Sequence, residues 1–357
     1  MRFFRRLLTP QNLLVNIPVL ALGQNSLSCL AGLFTRTNAY PAFIHTKEVL
    51  MKPLHVVAVI SNPCRYRSRY ELYRNFEKHV LQSGALLTTV EAAYGERPHQ
   101  VTSSSCATHL QLRTRHELWH KENLINVGIQ RLPPDWEYVA WIDADVLFAR
   151  PDWARETVEQ LQHYHVVQMW THAQDLNPNY EPTGEIQRGF VWSYYHDPKP
   201  KPNPSGYGTF RNWHPGYAWA ARREFIDAVG GLIDWAILGS ADTHMACALI
   251  GQAEMSMHPN LSPRYRKKVQ IWQERAERHV RRNLGYVHGL LLHYWHGRKR
   301  DRGYNDRWKI LVEHGFDPDL DLKRDHQGLW QLTERSHRLR DDIRAYFRSR
   351  NEDSIDE

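Results

Sequence analysis

The chain has no CxxC pair, no long uninterrupted apolar run and no internal repeat. Its four cysteines, Cys29, Cys64, Cys106 and Cys247, stand far apart, which argues against a zinc knuckle and a disulfide framework and fits a reducing compartment. With 42% hydrophobic and 11% aromatic residues among 357, the sequence is neither disordered nor fibrous and can bury a large core.

Acid is missing from one stretch. Met1 to Lys47 contains none, against Arg2, Arg5, Arg6, Arg36 and Lys47, and its apolar run NLLVNIPVLALGQNSLSCLAGLF is broken by Asn16, Gln24, Asn25 and serines. Three readings are open for residues 1–50: a signal anchor or leader, an organellar transit peptide, or an upstream extension that is not native. In the third, Met51 is the start, because Lys47-Glu48-Val49 can be encoded by a ribosome-binding sequence ahead of it, as in a bacterial or phage gene. Removing residues 1–50 takes away five basic residues and one acid, and the net charge falls from +7 to +3. About half of the basicity therefore says nothing about partners. The third reading implies a cytoplasmic protein of a bacterial or phage-infected cell, the others an anchored or organellar one.

From Leu54 onward strand and helix signals alternate. LHVVAVI reads as a buried strand, and SRYELYRNFEKHVLQSG as an amphipathic helix with Leu72, Tyr73, Phe76 and Val80 on one face. ALLTTVEAAYG is a second strand, HLQLRTRHELWHKENLINVGIQRLPPDW a long helix, and YVAWI a third strand; a helix over Trp153 to His163 and the strand HVVQMW follow. This order predicts an α/β fold with a mostly parallel sheet flanked by helices, whose ligands bind beyond the carboxyl ends of the strands.

The stretch EYVAWIDADVLFARPDW puts Asp143 and Asp145 at such an end. Carboxylates amid apolar residues need compensation, and a divalent cation supplies it. Hard oxygen ligands suit Mg²⁺ or Mn²⁺, which can also hold a nucleotide diphosphate and neutralise charge on a departing phosphate.

Downstream, residues 175–215 carry seven prolines with several Gly, Asn and Tyr, and read as a long irregular substrate loop. A helix resumes at ARREFIDAVGG. A polar helix covers SPRYRKKVQIWQERAERHVRRNLG, with eight basic residues from Arg264 to Arg282, and the final NEDSIDE reads as a disordered acidic tail.

Five segments in order resemble the GT-A fold glycosyltransferases, close in pattern to the β-1,4-galactosyltransferases and related inverting enzymes: VVAVISNPCRYRSR, KENLINVGI, YVAWIDADVLF, HPGYAWAARREFIDAVGGLIDWAILGSADTHM and LLHYWHGRKRDRGYNDRW. The match runs from about Val56 to Trp308. It implies a GT-A domain over 51–320, with a C-terminal helix and tail over 321–357.

By this resemblance Asp145 is the direct metal ligand, with Asp143 near the ribose and diphosphate. His296 matches the family's late His ligand, and His293 stands where a Met ligand does; a carboxylate with two imidazoles widens the choice of metal toward transition ions. Asp242 matches the acid that takes the acceptor's proton, although Ala241 replaces the family's neighbouring Glu; an N-terminal helix cap is the alternative. Pro63 and Arg65 would meet the nucleotide, while Lys121 and Asn126 suit a helix face packed under the sheet equally well. Trp213, Tyr217, Trp219 and Trp235 are candidates for stacking on sugar rings or for the core, Trp235 being placed at the nucleotide sugar. His244 reads as structural.

The resemblance implies transfer, with inversion, from a nucleotide diphosphate sugar, a UDP-sugar favoured, to a glycan or other hydroxyl acceptor. The basic helix leaves open a nucleic-acid-directed protein, including one glycosylating modified bases in phage DNA, and the acids and histidines leave open a metal-dependent phosphohydrolase. A membrane enters only if residues 1–50 are an anchor.

Overall fold

The structure, a computed structural model, describes residues 51–197, 213–304, 306–335 and 337–355. The expectations for residues 1–50, and for the part of the substrate loop over 198–212, lie outside them.

In chain order the elements are β1 (Leu54–Ser61), α1 (Arg67–Gln82), β2 (Leu86–Tyr94), β3 (His109–Thr114), α2 (Lys121–Ile129), β4 (Tyr138–Ile142), β5 (Val146–Phe148) and α3 (Trp153–Leu161). There follow β6 (Val166–Gln168), β7 (His172–Leu176), β8 (Pro182–Arg188), α4 (Phe190–His196), β9 (Ala218–Arg222), α5 (Arg223–Val229), α6 (Ala241–Leu249) and α7 (Pro263–Val280). The last are β10 (Gly285–Tyr286), β11 (Leu290–His293), α8 (Asp306–Glu313), α9 (Pro318–Asp321), β12 (Leu322–Arg324), β13 (Trp330–Leu332) and α10 (His337–Ser349).

Seven strands form the central sheet in the order β10-β6-β9-β4-β1-β2-β3. β1 lies between β2 and β4 and is parallel to both, whereas β9 runs antiparallel to β4 and β6. The near-continuous apolar sequence of β1 follows from burial on both faces, where helices cover the sheet. On one side α1 contributes Leu72, Tyr73, Phe76 and Val80, the stripe that its spacing predicts. On the other, α2 packs so closely that a Cβ on Gly128 would lie 2.6 Å from Val57 Cγ1 and 2.9 Å from Val90 Cγ2. Only glycine admits this approach. The α/β architecture, mostly parallel and flanked by helices, is thus the one expected.

A second sheet, β5-β11-β7-β8, stands at the carboxyl end of β4. β11 pairs antiparallel with β5 and parallel with β7, which sets His293 opposite Val146 on one side and Asp175 on the other. This register positions the site.

Three expectations are corrected. The long helix expected from His109 is instead strand β3 followed by the nine-residue α2. Leu110 and Leu112 alternate with polar residues, which is the strand period, and β3 serves as the sheet's parallel edge. The irregular segment from 175 contains β8, which starts at Pro182, and α4; proline is tolerated at a strand's first residue.

The third correction concerns the acidic tail, which through Ile355 is ordered against the domain. Glu352 is 1% exposed and bonds Arg69 and Arg350; Asp353 accepts from the Arg67 and Ser68 amides that open α1. Its acids lie at the buried Arg350, the half-buried Arg69 and a helix N-terminus, so composition alone misread them.

Candidate active site

β4 ends at Ile142, and the chain turns through Asp143, Ala144 and Asp145 before β5 begins at Val146. Because β5 pairs with β11, the Asp145 carbonyl accepts from the Tyr294 amide at 2.8 Å, and the Asp145 carboxylate faces the turn after β11. There His296 Nε2 lies 3.0 Å from Asp145 Oδ2, His293 Nε2 lies 4.0 Å from Oδ1, and the two imidazole nitrogens are 3.2 Å apart. One donor atom from each residue falls within 4.8 Å of the others.

Asp175 fixes the chemistry of His293. Its Oδ1 lies 2.8 Å from His293 Nδ1, while Gln187 Nε2 and Lys299 Nζ donate to Oδ2. An ionised carboxylate only accepts, so the His293 proton sits on Nδ1 and the Nε2 lone pair points at Asp145 and His296. Asp175 stays ionised: burial pushes its carboxyl up, but His293 and Lys299 more than offset that and hold it below the ordinary range.

These residues fit a divalent ion. Asp145 Oδ1 is buried with no hydrogen-bond partner, an atom that an ion would satisfy. Burial raises the Asp145 carboxyl, and His296, His293 and Arg302 together override it, so the group is held well below the usual range and anionic. His296 is lowered to about 4, chiefly by burial and then by Arg302, which keeps the imidazole neutral. One carboxylate with two imidazole nitrogens suits Mn²⁺ and neighbouring transition ions, and Mg²⁺ less well.

The cluster opens onto a cavity of about 400 Å³ that is also lined by Asp143, Lys121, Glu122, Asp242 and Tyr217. Lys121, at the start of α2, is ion-paired with Asp143 Oδ1. Asp242 lies in the first turn of α6, where Oδ1 accepts from the Thr243 amide at 2.7 Å. A Cβ on Gly216 would stand 3.0 Å from Asp242 Oδ2, so this glycine lets the carboxylate lie against the loop before β9. Burial raises the Asp242 carboxyl, but Lys121, Arg307 and the Thr243 amide outweigh it and leave it below its ordinary value. The carboxylate is therefore ionised and has an oxygen facing the cavity side of this loop. Glu122, 4% exposed beside it, behaves differently: burial carries it up to about 7, with Lys121 opposing and Asp242 adding to the rise.

The structure therefore brings together Asp143, Asp145, His293, His296, Asp242, Lys121 and Tyr217, and does not bring in the rest. Arg65 is exposed with φ of 61°, and neither it nor Pro63 lines the cavity; Arg69, in the first turn of α1, does. Trp235 does not line it either, because it packs edge-on against Tyr265 with ring centroids 4.9 Å apart and Lys268 over its ring. Trp213 and Trp219 are core, the latter donating to Pro215 O. Asn126 holds the turn before α6 by bonding both Leu232 and Asp234, and His244 is fully buried between Ser256 and Tyr265.

Sequence reasoning missed Asp175, Glu122, Arg69, Arg302, Arg307 and Glu352. Only Asp175 carried a signal, an acid closing the short strand HAQDL. The basic helix α7 is largely neutralised within the chain: Arg264, Arg266, Lys267 and Lys268 pair with Asp317, Glu254, Glu274 and Asp319. Among the described residues, no helix is long and apolar enough to cross a membrane.

No protein-family model matches the chain, and no curated protein matches it. Among solved structures, it is similar to the catalytic domain of Drosophila β1,4-galactosyltransferase 7 in complex with xylobiose. Identity is 12% and the TM-score 0.37, over 79% of this chain and 94% of that one. A mutant of the same enzyme, in complex with manganese, UDP-Gal and xylobiose, gives 11% identity and a TM-score of 0.37 over the same shares.

Proposed function

We propose that the protein is a metal-dependent glycosyltransferase on a GT-A-like scaffold, moving a sugar from a nucleotide diphosphate sugar to an acceptor hydroxyl with inversion. One observation carries the proposal: a built ion site, Asp145, His293 and His296 with Asp175 behind it, opens onto the same cavity as an ionised, unligated carboxylate, Asp242. A single cluster of this kind lines the cavity among the described residues, which favours transfer over two-metal phosphohydrolysis.

Asp145, His293 and His296 would hold Mn²⁺ or Mg²⁺, and that ion would neutralise the charge growing on the departing diphosphate. Lys121 fixes Asp143 at the carboxyl end of β4, where it orients the ribose and diphosphate. Asp242 accepts the proton of the acceptor hydroxyl as that oxygen attacks the anomeric carbon, and the bond to the diphosphate oxygen breaks on the opposite face. The helix N-terminus and Lys121 keep Asp242 anionic before the step. A UDP-sugar donor and a glycan acceptor belong to this proposal.

The test is release of nucleoside diphosphate from a panel of nucleotide sugars, with and without Mn²⁺, by the wild-type chain and its Asp145→Ala variant. Metal-dependent release from one donor, abolished in the variant, supports the proposal. Silence across the panel from folded protein, together with no metal-linked nucleotide binding, refutes it.

A further inference from the structure

Six cations line the cavity: Arg69, Lys121, Lys299, Arg302, Arg307 and Arg350. Four have carboxylates of their own, since Arg69 and Arg350 share Glu352, Lys121 holds Asp143 and Lys299 holds Asp175. Arg302 and Arg307 differ: neither has a carboxylate partner among the described residues.

Both are nine-tenths buried, at 6% and 8% exposure. A guanidinium offers five N–H donors. Arg302 spends one on the Tyr304 hydroxyl at 3.3 Å, and Arg307 one on the Leu238 carbonyl at 3.3 Å. The Nε atoms of both are buried and unpartnered. They flank one side chain, because the Arg307 guanidinium carbon lies 5.2 Å from the centre of the Tyr304 ring. Asp145 and Asp242 act on them only across the cavity, with no salt bridge or hydrogen bond among the described residues, so the buried donors of both guanidiniums are left for a ligand to satisfy. Arginine's planar fork matches a phosphate or carboxylate, and the orphaned Nε beside free Nη donors is the edge such a group takes.

We propose that Arg302 and Arg307, with Tyr304 between them, form a second anion-binding site in the cavity, which takes a phosphate-like oxyanion without needing the metal. Two groups carry that chemistry. Arg302 acts on Asp145 and His296, on the metal side, and Arg307 on Asp242, on the acceptor side. The occupant is either the donor's diphosphate or an acidic group on the acceptor. This inference deepens the proposed transfer reaction and rests on it only for naming the occupant.

The experiment is calorimetric and thermal-shift titration of the full chain with inorganic phosphate in EDTA, for wild type, Asp145→Ala, Arg302→Gln and Arg307→Gln. Phosphate should stabilise wild type and Asp145→Ala alike, and each arginine substitution should weaken its binding by about tenfold, the worth of one charged hydrogen bond. Without phosphate, a cooperative melting transition in each arginine variant shows that it is folded, and phosphate binding is compared between folded forms. Absence of metal-free phosphate binding, or binding untouched by the substitutions in folded variants, would each overturn the site. Uridine diphosphate then separates the sources: displacement of phosphate assigns the site to the donor, and additive stabilisation assigns it to the acceptor. If no nucleotide sugar is turned over while phosphate still binds, the transfer reading falls and the anion site stands.

Discussion

His293 and Asp175 are directly paired across the β11–β7 ladder, 118 residues apart in sequence, and their side chains meet at 2.8 Å between Nδ1 and Oδ1. The pairing decides which imidazole nitrogen can face an ion. Asp175→Asn replaces an obligate acceptor by an amide that can present either face, so the tautomer is no longer enforced. Metal affinity should fall about 10–100-fold, as for other carboxylates behind ligating histidines. Titration with Mn²⁺, read as a shift in melting temperature, checks this, and unchanged affinity would show that Asp175 only braces Lys299.

Asp242→Asn keeps the shape of the base and removes its charge. Transfer should fall about 10²–10⁴-fold, the usual worth of general-base catalysis, while Mn²⁺ affinity and donor KM stay near wild type. A parallel loss of metal binding would mean that the carboxylate serves the ion and not the acceptor.

Glu352 closes a buried pair with Arg69 and Arg350, its own side chain fully covered. Breaking such a cluster from one side leaves buried Arg350 and half-buried Arg69 unmatched, so Glu352→Ala should cost about 3 kcal/mol in denaturant unfolding. A change under about 1 kcal/mol would show that water reaches the arginines.

Acid should destabilise the fold earlier than carboxylates alone would cause. Burial lowers His120 to about 4 and His244 to about 3, so both stay neutral in the folded chain. Their unfolded counterparts begin to take up protons near pH 6.5. Stability from these groups is therefore complete above about pH 6.5 and is lost as pH falls toward 4, each costing up to about 1.4 kcal/mol per pH unit. Urea midpoints that stay level from pH 7 to pH 5 would contradict this.

The residues that meet in the candidate site stood out in the sequence because its parts are local. Asp143 and Asp145 follow a five-residue apolar strand, and His293 and His296 close another segment at a spacing of three, so each pair announces itself within a short window. Strand register brings the two pairs together, and register is a non-local property. For the same reason Asp175 stayed hidden: nothing near HAQDL shows that its last acid faces His293. Arg302 and Arg307 read as members of a charged run, and only their burial without a salt bridge among the described residues separates them from surface residues. The helix expected from His109 failed because Leu110 and Leu112 fit a half-buried edge strand as well as a helix, and pairing with β2 decided the outcome. Trp235 went astray differently: an aromatic near the right motif satisfies both core and ligand, and Tyr265 claimed it.

The docking of Glu352 against Arg69 joins positions 283 residues apart. A ribosome delivers Arg69 and the first strands long before Glu352 exists. Until then one wall of the cavity is missing, Arg69 has no counter-charge, and the α1 amides that Asp353 accepts from stay open to water. Synthesis thus imposes an order on this protein: the sheet can assemble as it emerges, but the site is finished only when residues 350–355 have left the exit tunnel.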